Sequence, residues 1–152
     1  MVSCLDKTVS QHTPQIRLSY FILSGGDTLN VAMDTTTGVY ATDTFFVGDT
    51  LRFAFAGLTL SNNLKGVDIK WDSTALNLTF GPWNDIAGIL LPESDTLACH
   101  LLFPEGYNYI AFPVTCIAKK ESASLLGLTL SSDSEFSPAK LEILCNVADT
   151  VQ

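Results

Sequence analysis

The chain has 152 residues, of which 47% are hydrophobic and 16% are charged, and its formal net charge is −8. This length suits one domain with a sizeable core, and the apolar fraction excludes an intrinsically disordered chain. The acidic balance excludes nucleic acid as a partner, because a phosphate backbone requires clustered Lys and Arg and the only adjacent basic pair is Lys119-Lys120. No apolar run approaches the roughly 20 residues of a membrane-spanning helix.

The first residues resemble the end of a bacterial lipoprotein signal. Met1-Val2-Ser3-Cys4 places a small residue directly before a cysteine, and in that resemblance Cys4 is the first mature residue and carries the lipid. The basic and apolar parts of such a signal are missing here, so the alternative is an ordinary cytosolic start with an incidental cysteine. The segment Thr8 to Gln15 is rich in Thr, Ser and Gln, which predicts a flexible tether over residues 1–15 and a folded domain over residues 16–152.

Short runs of alternating apolar and polar residues fill the rest of the chain, and turn residues separate them about every 8–14 residues. The clearest run follows the Gly48-Asp49 turn, and a further strand over Leu97–Phe103 is predicted to point its odd-numbered residues inward. This pattern predicts a single all-β domain, an antiparallel β-sandwich of roughly seven to ten strands with negligible helix. The residues predicted to form its core are Leu51, Phe53, Phe55, Val67, Ile69, Trp71, Phe112, Val114, Leu128 and Ile143.

Segments from both halves of the chain carry a resemblance to known proteins. Val47-Gly48-Asp49-Thr50-Leu51 and Asn63–Asp72 are similar to the early strands of bacterial immunoglobulin-like and cohesin-like sandwiches. Ala111-Phe112-Pro113-Val114 and Leu126–Ser131 are similar to their last strands. The whole block from Val39 to Val147 resembles small, uncharacterised lipoproteins of Bacteroidetes. This resemblance implies a β-sandwich exported to the cell envelope, and it carries no established activity.

The number and positions of the cysteines leave two interpretations open. If Cys4 carries a lipid, then Cys99, Cys116 and Cys145 remain, and an odd number leaves at least one thiol unpaired in the monomer. Alternation points all three inward, where they would act as small buried hydrophobes. The alternative is one disulfide between two of them in an oxidising compartment. Zinc is not expected, because the chain has no Cys-x-x-Cys and His100 faces away from its neighbour Cys99 on a strand.

Motifs for catalysis or metal binding are weak in this sequence. There is no Gly-x-Ser-x-Gly elbow, and His100 as a general base would need a serine or cysteine nucleophile that the sequence does not indicate. The pairs Asp68/Asp72 and Asp133/Glu135 offer oxygen ligands for calcium but lack the spacing of a calcium-binding loop, so neither is expected to bind it, and Asp133/Glu135 is predicted to lie in a solvated turn. We therefore expect that the protein is not an enzyme and that it binds no cofactor and no metal.

Aromatic residues in turns form the one predicted binding site. Trp83 lies within the turn Gly81–Asp85, while Tyr107 and Tyr109 lie around a later turn, with Tyr109 predicted to point outward. Flat aromatic side chains on a rigid sandwich stack on sugars or anchor a protein partner. The alternative for Trp83 is that it folds back and caps the end of the sandwich.

Together these features predict a non-catalytic binding module that is lipid-anchored in the cell envelope, at the outer membrane or the cell surface. Its predicted role is protein docking or structural display. Two alternatives stay open: a carbohydrate-binding module that uses the loop aromatics, and an accessory domain of a secreted hydrolase. The expected partner is a protein or glycan at the cell surface, the membrane is contacted only through the lipid, and the chain is expected to be a monomer.

Overall fold

The computed structural model describes residues 12–82 and 90–149, and all of the regular structure in these ranges is β. Within them there is accordingly no helix of the length and apolar character needed to cross a membrane. The strands in chain order are β1 Gln15–Leu23, β2 Val31–Met33, β3 Tyr40–Thr42, β4 Phe45–Phe46, β5 Thr50–Leu58, β6 Leu64–Lys70, β7 Leu76–Phe80, β8 His100–Leu102, β9 Tyr109–Ala118, β10 Ser122–Ser132 and β11 Ala139–Ala148.

These strands form two sheets that share one core, which confirms the predicted β-sandwich. The first sheet has the order β1-β5-β9-β7 and is antiparallel throughout. The second has the order β2-β3-β11-β10-β6-β8, and β4 also pairs with β11. Both β3 and β4 run parallel to β11, so the second sheet is mixed, which alternation alone does not predict. The described residues contain eleven strands, more than expected, because β2, β3, β4 and β8 have only two or three residues each.

Side chains from the inner faces of both sheets form the core, and nine of the ten predicted core residues are buried. Phe55 of β5 stacks on Phe112 of β9 with ring centroids 4.9 Å apart, and Phe21 stacks on Phe53 at 4.8 Å. Burying a side chain of this size contributes about 1.5–3 kcal/mol. The core therefore rests on the odd-numbered residues of β5, as the alternation predicts.

Trp71 is the exception, and the prediction that it is a core residue is wrong. β6 ends at Lys70, so the alternation that buries Ile69 does not extend to the next inward position. The indole is only partly buried, and it packs edge-on against Phe80 with a centroid distance of 5.6 Å. Trp71 thus lies where the core meets the surface.

A bulge in β1 changes which residues of that strand face the core. Between Ser19 and Ile22, β1 advances three residues while β5 advances two. Ile16 and Leu18 pack against the core before the bulge, whereas Phe21 does so after it and Ile22 is exposed. One extra residue reverses the faces of a strand, because side chains alternate with a period of two.

β8 is shorter than the strand predicted over Leu97–Phe103. Residues 96–99 form a turn instead, in which Asp95 Oδ1 accepts hydrogen bonds from the backbone N–H groups of Leu97 at 3.0 Å and Ala98 at 3.2 Å. Such a local bond from an aspartate competes with strand formation. Leu97 is therefore 86% exposed rather than inward, while Cys99 is buried with a φ of 50° as the chain turns into β8.

Candidate functional site

Of the predicted site residues, Tyr107 and Tyr109 are described, whereas Trp83 and Cys4 lie outside the described residues. Tyr109 begins β9 opposite Leu58, the last residue of β5, and it is 56% exposed, so its predicted outward orientation is confirmed. Tyr107 is partly buried, and its carbonyl oxygen accepts a hydrogen bond from the backbone N–H of Leu64 at 2.6 Å. More than half of the Tyr109 surface is thus open to solvent.

Tyr109 lies at one end of the sandwich, where three loops are joined by hydrogen bonds. The backbone N–H of Thr59 donates to the carbonyl of Asn108 at 2.9 Å, and that of Asp133 donates to the carbonyl of Asn63 at 3.0 Å. These loops are residues 59–63, 103–108 and 133–138, and together with Tyr109 they are called the loop end below. Bonds between loops reduce the freedom of each loop, so the side chains at this end project from a fixed backbone.

Asp133 and Asn63 add a side-chain contact to this bracing. The two carboxylate oxygens of Asp133 accept hydrogen bonds from the backbone N–H of Asn63 at 2.9 Å and from its side-chain amide at 3.0 Å. The bond from the backbone N–H lowers the pKa of the Asp133 carboxyl, because it favours the charged form. In the first of the three loops, buried Thr59 donates its hydroxyl to the carbonyl of Asn62 at 2.5 Å.

Three large apolar side chains are exposed at the loop end. Leu60 is 58% exposed and Phe136 is 55% exposed, in addition to Tyr109. Apolar side chains grouped on a surface and surrounded by polar residues are typical of interaction sites. The sequence analysis missed Leu60 and Phe136 because both lie in turns, where no periodicity assigns a face. The sequence feature that could have identified Leu60 and Phe136 is a large apolar residue with a polar turn residue on each side.

A second candidate site is a groove beside β6 and the turn before β8. Trp71 lines this groove together with Lys70, Ser73, Asp95 and Leu97, and it is called the Trp71 groove below. Its indole is held from one side by Phe80, and Leu97 projects from the turn. An aromatic surface beside an ammonium, a hydroxyl and a carboxylate is a chemistry suited to polar ligands with an apolar face, such as sugars.

His100 and Asp68 form the one pair that resembles catalytic machinery. They lie opposite each other on β8 and β6, and His100 Nδ1 donates to Asp68 Oδ1 at 2.5 Å. The side chains are 48% and 38% exposed, so His100 faces outward as predicted. A carboxylate orients the histidine of hydrolase triads in this way. In the described residues, however, no hydroxyl or thiol is bonded to the other ring nitrogen, and neighbouring Cys99 is buried on the opposite side.

Asp68 and Asp72, which lack the spacing of a calcium-binding loop, take part in local contacts. Asp72 accepts hydrogen bonds from the hydroxyl of Thr74 at 2.6 Å and from its backbone N–H at 2.9 Å, and the hydroxyl contact in particular lowers the pKa of Asp72. Asp68 is bonded to His100 as described above. In residues 12–82 and 90–149, no cluster of three or more His, Cys, Asp or Glu side chains is arranged to hold a metal ion.

The three cysteines after the N-terminal segment are all buried, as alternation predicts. Cys99, Cys116 and Cys145 are free thiols, and each is at most 2% exposed. Burial raises the pKa of each thiol to about 12, because an apolar environment disfavours the thiolate. These groups therefore act as small hydrophobes in the core.

Comparison with known proteins supports the fold of the chain but does not assign it to a family. No protein-family model matches the chain, and no curated protein is significantly similar to it in sequence. The structure is similar to part of a family 123 glycoside hydrolase from Clostridium perfringens that was analysed for glycolipid glycan hydrolysis, with a TM-score of 0.51 at 11% identity. The similarity covers 93% of this chain and 28% of the hydrolase chain. At this identity the likeness concerns the β-sandwich fold alone.

Proposed function

We propose that this chain is a non-catalytic binding module that docks a protein partner through its loop end. The observation that carries the proposal is the exposure of Leu60 and Phe136 on loops joined by hydrogen bonds, and of Tyr109 at the start of β9 beside them. A few apolar and aromatic anchors supply most of the free energy of a protein interface. Anchors on a fixed backbone lose little conformational freedom on binding, which favours affinity.

The chemistry of the loop end favours a protein over a sugar. Leu60 and Phe136 have no hydrogen-bonding group in their side chains, whereas a sugar presents hydroxyls that need partners. The same loops also carry exposed polar residues such as Glu105 and Asp133, and protein interfaces combine apolar anchors with polar residues. With a net charge of −8, the chain favours a partner whose rim is basic.

Four of the described carboxylates have local structural contacts, which supports a binding role rather than catalysis for these groups. Asp72, Asp95 and Asp133 each accept backbone hydrogen bonds that hold a turn or join two loops, and Asp68 pairs with His100 between strands. Groups used in this way stabilise local structure. We propose that the His100–Asp68 pair holds β8 on β6 in the same manner.

We further propose that the module is anchored in the cell envelope, at the outer membrane or cell surface, through a lipid on Cys4. The small residue before Cys4 and the resemblance to Bacteroidetes lipoproteins support this location. The backbone N–H of His12 donates to the side-chain oxygen of Asn62 at 3.4 Å, and Pro14 is buried. His12 therefore lies beside the loop end, which favours a partner that belongs to the same envelope layer.

Site-directed photo-crosslinking in intact cells tests the docking proposal. A photoreactive amino acid replaces Leu60 or Phe136, and Leu125, which is exposed on β10, is the control position. We expect one discrete adduct from the loop-end positions and none from Leu125. The captured protein is then purified, and its Kd is measured with wild type, Tyr109→Ala, Phe136→Ser and Leu125→Ser. A loss of about tenfold or more in the loop-end variants alone supports docking, whereas equal affinities for all four proteins would contradict it.

Carbohydrate binding at the Trp71 groove is a second candidate function. It is favoured by the partly buried indole beside Lys70, Ser73 and Asp95, and by the similarity to part of a hydrolase that acts on glycans. The similarity covers only 28% of the hydrolase chain. This share also agrees with the alternative that the chain is an accessory domain of a secreted hydrolase.

A glycan array with wild type, Trp71→Ala and the control Phe136→Ala tests this second candidate. Loss of a glycan signal in Trp71→Ala but not in the control supports it, and the absence of any signal with wild type argues against it. Turnover of a glycan that His100→Gln abolishes would overturn the non-catalytic assignment altogether.

A further inference from the structure

The two sheets of the sandwich part at the edge where β1 faces the β3–β11 side of the second sheet. A cavity of about 420 Å³ lies between them. β1 supplies Ile16, Leu18 and Phe21 to its wall, while β11 supplies Leu141 and Ile143. The bulge in β1 contributes to this arrangement, because it turns Phe21 toward the second sheet after Leu18 has already pointed there. The cavity is thus built from both sheets.

Seven of the nine residues that line this cavity are apolar, and none of the nine is charged. Its side-chain polar groups are the hydroxyls of Thr28 and Tyr40, and neither forms a hydrogen bond with another described residue. The cavity opens to solvent on the side of Thr28, which is exposed, while Val31 and Tyr40 are half-buried. A charged ligand is disfavoured, because no charged group in the wall compensates its desolvation.

We propose that this cavity is a binding site for an uncharged, elongated apolar molecule: an alkyl or isoprenoid chain that ends in a hydroxyl or another neutral polar group. Its volume lies within the range of about 300–1,000 Å³ that small-molecule sites have. The apolar wall would receive the chain, and the unpaired hydroxyl of Tyr40 would receive the polar end. The site is separate from both the loop end and the Trp71 groove, so it does not depend on the docking proposal.

Binding of primary alcohols to the purified protein tests this inference. The neutral fluorophore N-phenyl-1-naphthylamine reports occupancy, and n-alcohols of increasing chain length displace it at concentrations below their solubility limits. Each buried methylene is expected to tighten binding by about fourfold until the cavity is full, after which the affinity stops rising. Affinity that is independent of chain length, or displacement by carboxylates as strong as by alcohols, would overturn the proposal. This series uses wild-type protein, so it does not depend on the folding of any variant.

Two variants then locate the site. Leu141→Trp places an indole in the wall and should weaken alcohol binding at least tenfold, while the control Leu125→Trp adds the same bulk on the exposed face of β10 and should leave it unchanged. Tyr40→Phe keeps the volume of the wall and removes its phenolic hydroxyl, so it should weaken alcohols by about threefold to tenfold. If wild type, Leu141→Trp and Tyr40→Phe bind the alcohols with equal affinity, the alcohols bind elsewhere and this cavity is not the binding site.

Discussion

Asp133 and Asn63, 70 residues apart in sequence, are joined by two hydrogen bonds of 2.9 and 3.0 Å that link the loop after β5 to the loop after β10. A reverse bond from the backbone N–H of Asp133 to the carbonyl of Asn63 completes the contact. These two loops carry Leu60 and Phe136. The proposed docking surface therefore depends on the Asp133 carboxylate, which joins the loops through hydrogen bonds and not through apolar packing.

The stability of the loop end should decrease in acid through Asp133. The hydrogen bond from Asn63 lowers the pKa of this carboxyl below its usual 3.8. A group with a lowered folded-state pKa contributes stability that is fully present above its unfolded-state pKa and is lost as the pH falls through the folded-state value. The difference in the free energy of unfolding between wild type and Asp133→Ala should therefore shrink as the pH falls below about 3.8.

Denaturant unfolding at a series of pH values measures this difference. Phe136→Ala is the matched control, because it alters the same loop without removing a charge. The difference in the free energy of unfolding between wild type and Phe136→Ala should not shrink as the pH falls. A difference between wild type and Asp133→Ala that stays constant from neutral pH to below about pH 3 would contradict the assigned contact.

The two aromatic residues Phe55 and Trp71 should differ in their contribution to stability. Phe55 is fully buried in the stack with Phe112, so Phe55→Ala should reduce the free energy of unfolding by about 3–5 kcal/mol. Trp71 is only partly buried, so Trp71→Ala should cost roughly half as much or less. Guanidinium unfolding of wild type and of both variants measures these losses. The m-values should be unchanged, so that a shift in the midpoint reports a change in the free energy of unfolding. A larger loss for Trp71→Ala would mean that the indole belongs to the core after all.

Removing a buried hydroxyl should stabilise the protein at one position of β10. The Oγ atoms of Ser122 and Ser124 are buried and have no hydrogen-bond partner among the described residues. Ser124→Ala removes such an unpaired group and should raise the free energy of unfolding by about 1 kcal/mol. Ser137→Ala is the control, since Ser137 Oγ accepts a hydrogen bond from the backbone N–H of Ser132 at 2.8 Å and its loss should destabilise the protein. Equal destabilisation by both changes would show that Ser124 is satisfied, for example by water.

The fold was predictable from sequence because strand alternation is a local property. On β5, each odd-numbered side chain from Leu51 to Phe55 faces the core, as the printed sequence suggests. Features that depend on distant pairing were not predictable: the parallel alignment of β3 and β4 with β11 and the bulge in β1 are set by partners 30 or more residues away. Local alternation carries no information about either.

The candidate site was predictable only where it overlaps a strand. Tyr109 was assigned outward because it alternates with buried Ile110 at the start of β9. Leu60 and Phe136 lie in turns, so their exposure followed from hydrogen bonds among loops rather than from periodicity. Trp71 directly follows the last residue of β6 and Leu97 lies in the turn before β8, so alternation extrapolated from these strands does not hold at either position.

The reactivity of the thiols distinguishes a buried reduced core from a disulfide. Cys4→Ser protein is used, so that only Cys99, Cys116 and Cys145 are present. The pKa of each thiol is raised to about 12 and each is at most 2% exposed, so at pH 8 none should react quickly with a chromogenic disulfide reagent in the native state. In guanidinium without reductant, all three should react.

Two results would contradict this assignment. A fast-reacting thiol in the native protein would mean that one of the three is accessible, against its burial between the sheets. One reactive thiol in guanidinium, rising to three after reduction, would show that two of them form a disulfide in the purified protein. Full reactivity only after unfolding, with a rate that follows the unfolding rate, is the outcome expected of core thiols, because reagent reaches them only when the sheets separate.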